Sequence, residues 1–137
     1  MKYKLVMDER TFGYTEPCLR MLRNELARRV DDVIYVRRIK VGDIGAGFLI
    51  IDLTKKEVVW TGDGFRIDNG GEGGAGMRTA EALIRIYGLS VVDGEIKNDI
   101  NDREDAKFEL ENFLQSIDWV DLEGRAKAAE KLAGYVR

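Results

Sequence analysis

The chain has 137 residues, 45% of them hydrophobic and 34% charged, with a formal net charge of −3; this describes one soluble domain, residues 1–137, with a core that needs no staples. It contains no histidine and a single cysteine, Cys18, so structural zinc, haem, an internal disulfide and Ser-His or Cys-His catalysis drop out together. The acidic balance disfavours duplex nucleic acid, and the lack of a long apolar span or signal-peptide pattern points to a cytoplasmic protein that makes no membrane contact.

Met1 to Met7 alternates as a first strand, and Asp8 to Tyr14 connects it to a helix. Thr15-Glu16-Pro17 reads as a helix start, with a capping hydroxyl, an early acid and an early proline. That helix runs to Val30, with Leu19, Leu22, Leu26 and Val30 as its core stripe. Arg28 and Arg29 close its last turn, where their charge suits the dipole. Three strands follow, Val33 to Lys40, Gly47 to Leu53 and Glu57 to Arg66, rich in β-branched and aromatic residues. With the first strand they form an antiparallel meander. A second helix, Met77 to Tyr87, buries Ala80, Leu83, Ile84 and Tyr87 and stops at Gly88. Leu89 to Glu95 reads as a short strand or a hairpin at Asp93-Gly94. Asn101 or Asp102 caps a third helix with Ala106, Leu110, Phe113, Leu114 and Ile117 on one face. A fourth follows from Leu122, with Ala126, Ala129, Leu132, Ala133 and Val136. The predicted class is α+β: an antiparallel meander of about four strands, an N-terminal helix and two to three further helices toward the C-terminus.

Residues 70 to 78, Gly-Gly-Glu-Gly-Gly-Ala-Gly-Met-Arg, place five glycines in what reads as a loop opening onto the second helix. Ordered glycines imply positive φ or a backbone that must come very close to something. The unpaired N–H groups and dipole of the following helix favour an anion there, a phosphate above all; a flexible connection is the alternative. The letters of residues 71 to 76 match G-x-G-x-x-G with Asp93 beyond, but the polar Asp68-Asn69 and the hairpin-like strand before it set that match aside. The preceding strand, Val58 to Arg66, supplies residue types that stack on bases and hold phosphates. The candidate ligand-binding residues are therefore Trp60 and Phe65 for stacking, Arg66 and Arg78 with the N–H groups of Gly71, Gly73 and Gly74 for phosphate, and Asn69 for a hydroxyl. Arg20, Arg23 and Arg28 on the first helix form a possible second phosphate site. Phe108, opposite the apolar face of the third helix, is a candidate homo-oligomer contact. No catalytic residue, metal or cofactor is assigned.

Residues 1 to 50 carry 10 Lys/Arg against 7 Asp/Glu, and residues 51 to 137 carry 12 against 18, so any bound nucleotide is small and locally held. Asp63, Asp68 and Glu72 are the only carboxylates grouped near the glycines. They leave open a magnesium-dependent nucleotide hydrolase, and Phe108 leaves open a protein-interaction module with no nucleotide ligand.

A small histidine-free chain with this layout, the strand Trp60-Thr61-Gly62-Asp63-Gly64-Phe65-Arg66 and a glycine-rich segment resembles the phage Thoeris anti-defence sponges, the first-described of those families in particular. The resemblance covers the whole chain in layout and rests on residues 58 to 88 for motifs; no family binding residue is carried over. It implies a non-catalytic homo-oligomer, in the host cytoplasm if phage-encoded. Such a protein sequesters the cyclic ADP-ribose isomer made by a bacterial TIR-domain defence protein, and some members also hold cyclic oligonucleotides at a separate site.

Overall fold

Ten elements follow one another along the chain: β1 (Lys4–Val6), α1 (Thr15–Arg28), β2 (Ile34–Val41), β3 (Gly45–Asp52), β4 (Glu57–Trp60), β5 (Phe65–Arg66), α2 (Gly71–Ile86), β6 (Val91–Ile96), α3 (Arg103–Gln115) and α4 (Trp119–Val136). They come from a computed structural model, which describes residues 3–8, 11, 13–68 and 70–136. The side chains of Leu132, Ala133 and Val136 lie outside the described residues.

The sheet runs β1-β4-β3-β2-β6, with β5 beside β3. Its centre, β2-β3-β4, is the expected antiparallel meander, and the α+β class stands. Both outer strands differ from expectation: β1 pairs with β4 in parallel, and so does β6 with β2. The reason lies in the connections, since a helix between two strands provides the crossover that parallel pairing requires. The β1-α1-β2 and β4-α2-β6 crossovers step the same way along the sheet, and with the same hand they leave both helices on one face. Accordingly Leu22 and Leu26 of α1 and Met77, Ala80 and Ile84 of α2 share a cluster with Val36, Phe48 and Ile50. On the other face Ala106, Leu110 and Leu114 of α3 and Leu122 of α4 pack on Ile39, Leu49, Ile51 and Trp60. With both faces covered, β3 reads as an unbroken apolar run, Phe48 to Ile51 being fully buried.

The expected glycine loop is corrected: residues 71 to 76 are the opening turns of α2, which starts six residues earlier than predicted. Three of these glycines, Gly73, Gly74 and Gly76, are buried. A methyl group on Gly76 would stand 2.3 Å from Thr15 Cγ2, and one on Gly73 would stand 2.6 Å from Arg66 Cγ. The run therefore serves close approach. Thr15 is not the predicted N-cap; that position is Tyr14, and the Thr15 hydroxyl donates to the Gly64 carbonyl at 2.6 Å. Asp102 does cap α3, accepting from the Asp105 N–H. No helix among the described residues is long and apolar enough to cross a membrane.

Arg29, read from the sequence as a last-turn cation suited to the helix dipole, is 1% exposed. Its guanidinium reaches Glu25 at 3.0 Å, Asp52 at 2.7 Å and Glu57 at 3.0 Å, tying the end of α1 to β3 and β4. Burial alone would lower its pKa, but these carboxylates raise it. Beyond it, Asp52 is held above the ordinary carboxylate range, chiefly by burial and then by a hydrogen bond shared with Asp32. Asp32 is held below that range, chiefly by the same hydrogen bond, with Lys55 adding to it.

Two predictions follow from this packing. Gly76→Ala destabilises by about 1–3 kcal/mol through overpacking, whereas Gly124→Ala in α4, where nothing lies within 4 Å of the added methyl, stabilises by about 0.5–1 kcal/mol through helix propensity; urea unfolding of the two variants gives opposite signs. Arg29→Met costs about 3–5 kcal/mol at neutral pH by stranding buried carboxylates. Those carboxylates then have raised folded pKa values, so their penalty grows as pH rises through the carboxylate range and shrinks on acidification. Unfolding curves across pH 4–7 therefore bring variant and wild type closer at the acid end.

Candidate functional site

Along β2 the residues facing α1 and α2 change character, from apolar Ile34 and Val36 to cationic Arg38 and Lys40. Register carries the change across to β6, where Val91, Asp93 and Glu95 stand beside Val36, Arg38 and Lys40. Helix α2 covers the apolar part of this face through Ala80 and Ile84. Over the charged part it leaves a cleft of about 510 Å³, bounded by Met77 and Glu81 of α2, by Arg38 and Lys40 of β2, by Asp93 to Glu95 of β6, and by Ile67 just past β5. The Ile67 N–H donates to the Ile44 carbonyl at 3.0 Å, which holds that wall. Lys40 and Glu95 lie toward the C-terminal ends of parallel strands, where ligands of open α/β sheets bind.

The cleft's electrostatics are uneven. Arg38 donates from Nε to Asp93 Oδ1 at 2.7 Å and from Nη2 to Asp93 Oδ2 at 3.1 Å, while Nη1 lies 3.3 Å from Glu81. Asp93 is the main reason that its pKa stands above the usual arginine value. The Lys40 ammonium makes no hydrogen bond or ion pair among the described residues. One cation is thus fully compensated and the other is free.

The predicted ligand residues do not converge on this cleft. Trp60 and Phe65 are fully buried and offer no face for stacking, which corrects their assignment. Trp60 fills the α3–α4 side because Gly47 makes room: a methyl group there would lie 2.4 Å from the ring. Its indole N–H has no partner among the described residues. Phe65 packs edge-on against Phe48 at 5.2 Å. Arg66 is already engaged, donating from Nε at 3.0 Å and from Nη2 at 2.6 Å to Asp68, whose carboxylate also accepts the Gly70 N–H. Arg66 first, and Gly70 after it, hold the Asp68 pKa below the usual range. An internal anion therefore occupies the predicted phosphate position. Gly71 is exposed, Gly73 and Gly74 are buried in the helix, and Asn69 lies outside the described residues. Arg78 is exposed on α2, three residues before Glu81 and so on the same side of the helix.

The first-helix arginines do not form a joint site. Arg20 pairs with Glu16 at 2.7 Å and lines a separate hollow of about 430 Å³ with Thr11, Met21 and Asn24. Arg28 lies 3.5 Å from Glu25, and Arg23 is exposed. Of the three grouped acids, Asp63 accepts from the Gly13 N–H at 3.1 Å, Asp68 holds Arg66, and Glu72 is exposed. No three thiol or carboxylate groups gather at metal-binding distance among the described residues. Phe108 is 64% exposed, as its position off the apolar face requires.

Sequence reasoning missed Arg38, Lys40, Asp93 and Glu95. Their signal was present as period-two charge on two strands, opposite in sign, but only the parallel register brings them together. Comparison with known proteins adds no assignment: no family model matches the chain, and neither a curated protein nor a solved structure does.

Cys18 is buried, and its thiol donates to the Thr11 carbonyl at 2.9 Å. Burial, reinforced by the Asp63 charge against an opposing backbone hydrogen bond from Gly64, pushes its pKa up to about 12. The folded protein should accordingly leave a thiol-reactive chromophore unreacted at pH 8, with one equivalent consumed on unfolding in guanidinium.

Proposed function

We propose that the protein is a non-catalytic binder of a small nucleotide, which it holds in the cleft between α2 and the β2–β6 edge. The observation that carries the reading is the unpaired Lys40 ammonium inside a cavity that also has apolar walls and hydrogen-bonding acids. The volume of about 510 Å³ falls within the roughly 300–1,000 Å³ of small-molecule sites. Ile67 and Met77 suit the apolar body of a nucleoside, Glu81 and Glu95 suit its amino and hydroxyl groups, and Lys40 suits its phosphate. Two cations face three carboxylates in the lining, so the phosphates lie toward Lys40 and the mouth, on the side of exposed Arg78.

The family resemblance narrows this class to a cyclic ADP-ribose isomer. The protein would then act as a homo-oligomeric sponge that withdraws the signal of an anti-phage defence system in the host cytoplasm. Sequestration asks only for ground-state affinity and copy number. Such a site has no need of a positioned nucleophile or general base.

The test is to incubate the purified protein with cyclic ADP-ribose isomers and cyclic oligonucleotides, strip unbound material, denature by heat and identify what is released by mass spectrometry. The intact cyclic ADP-ribose isomer is expected. A cleaved product would replace this reading with a hydrolase, and an empty protein would overturn it in favour of an interaction module. Lys40→Met is expected to weaken capture about tenfold or more, the scale of a hydrogen bond to a charged group, with unchanged thermal stability.

A further inference from the structure

Arg38 invites the reading of a phosphate holder, yet its surroundings argue otherwise. Both oxygens of Asp93 grip one edge of the guanidinium at 2.7 and 3.1 Å, and Glu81 approaches Nη1 at 3.3 Å. The two carboxylates belong to different elements, β6 and α2, and between them they engage all three guanidinium nitrogens. They also offset its charge, and a phosphate brought to this point would meet two anions for one cation. The side chain is nevertheless 30% exposed within the cleft.

What a clamped, compensated guanidinium still offers is its flat face. Guanidinium planes stack on aromatic rings and nucleobases, and this attraction survives neutralisation of the edges. Met77 and Ile67, the apolar residues of the same lining, supply the rest of a slot for a flat ring, with a thioether that contacts aromatics favourably. Lys40 stands two residues further along β2 on the same face, about 7 Å away at the rise of a strand. A ribose fits between base and phosphate on that spacing.

We propose that Arg38 is the stacking platform for the ligand's aromatic base, held flat by Asp93 and Glu81, and that the phosphate is left to Lys40. The inference rests on the nucleotide-binding reading above and fixes the orientation of the ligand within that site. Asp93 and Glu81 are positioning residues: they act through Arg38.

Titration calorimetry with ADP-ribose, its cyclic isomers and the base-free probe ribose 5-phosphate tests it. Arg38→Lys keeps the charge and loses the plane, so the base-bearing probes weaken about tenfold, the scale of one base-stacking contact, while ribose 5-phosphate is unchanged. Asp93→Asn gives the sharper result when base-bearing probes are read against ribose 5-phosphate, because removing an acid from the cleft favours every phosphate alike. For a platform, loosening the plane lowers the affinity of the base-bearing probes relative to ribose 5-phosphate. For a phosphate holder, freeing the guanidinium tightens all probes equally, and that unchanged ratio overturns the proposal. Glu81→Gln repeats the comparison from the helix side should either strand variant fail to fold. Wild-type protein that binds base-bearing probes while Arg38→Lys binds them equally well overturns the platform alone. Wild-type protein that binds none of them overturns the nucleotide-binding reading as well.

Discussion

The close seating of the first turns of α2 on the strand end and on α1 is the constraint from which the working half of the molecule follows. Gly73 lies against the stem of Arg66 and Gly76 against Thr15, with distances that admit no side chain. Glycine in a helix costs about 1 kcal/mol relative to alanine. Several in one turn and a half are tolerated only where packing of the helix on its neighbours offsets that cost. Because α2 comes down so tightly at its start, its next turns are carried over β2 and β6, and Met77 and Glu81 become a wall of the cleft. These glycines shape the cleft without lining it.

The two ends of the sheet do different work. At the end where the parallel strands begin, Arg29 gathers Glu25, Asp52 and Glu57 and is itself buried. This arrangement joins α1, β3 and β4 through charges that cannot be separated cheaply. At the opposite end the closing contacts are hydrogen bonds among loops, from Gly13 to Asp63, Thr15 to Gly64 and Cys18 to Thr11, beside the exposed Arg66–Asp68 pair. The cleft lies toward this second end. A fold that locks one rim of its sheet can leave the other more open to variation without losing its register, which is the usual division of labour in open sheets flanked by helices.

Much of the architecture was legible from the pattern of residues, and its failures have physical causes. Leu22 and Leu26 of α1, the α3 stripe and the central meander follow from period 3.6 and period 2, whereas Val30, read as the end of the α1 stripe, lies past the helix and is 62% exposed; of the two cap candidates for α3, Asn101 and Asp102, the second is the cap. The glycine run was misread because local propensity argues against a helix there, while the contacts that favour one lie at Thr15 and Arg66, far along the chain. Asp93-Gly94 carries a hairpin signal. It sits instead inside β6, where Gly94 makes space for Phe113, whose ring lies 2.6 Å from where a side chain would begin. Trp60 and Phe65 belong to residue types that serve equally as ligand platforms and as core. Burial decides between these roles, and burial is set by the opposite layer. Parallel pairing of β1 and β6 was within reach, since each follows or precedes a helix long enough to cross the sheet.

The charged ladder on β2 and β6 shows why the site itself was the least legible part. Arg38 and Asp93 are separated by 55 residues, and Asp93 is not unusual where it stands: charged residues on an outer strand commonly serve to discourage further pairing. The β6 edge, carrying Asp93 and Glu95, fits that protective role. The same acids, once the parallel register sets them beside Arg38 and Lys40, also determine which cation in the cleft is compensated and which is free. A one-residue slip of β6 against β2 would move Asp93 and Glu95 to the other face of the sheet and leave Arg38 without its carboxylate partner there. The site is thus a property of strand pairing, and the packing that fixes the pairing, with Val36 and Val91 under α2, is also what makes the charge arrangement specific.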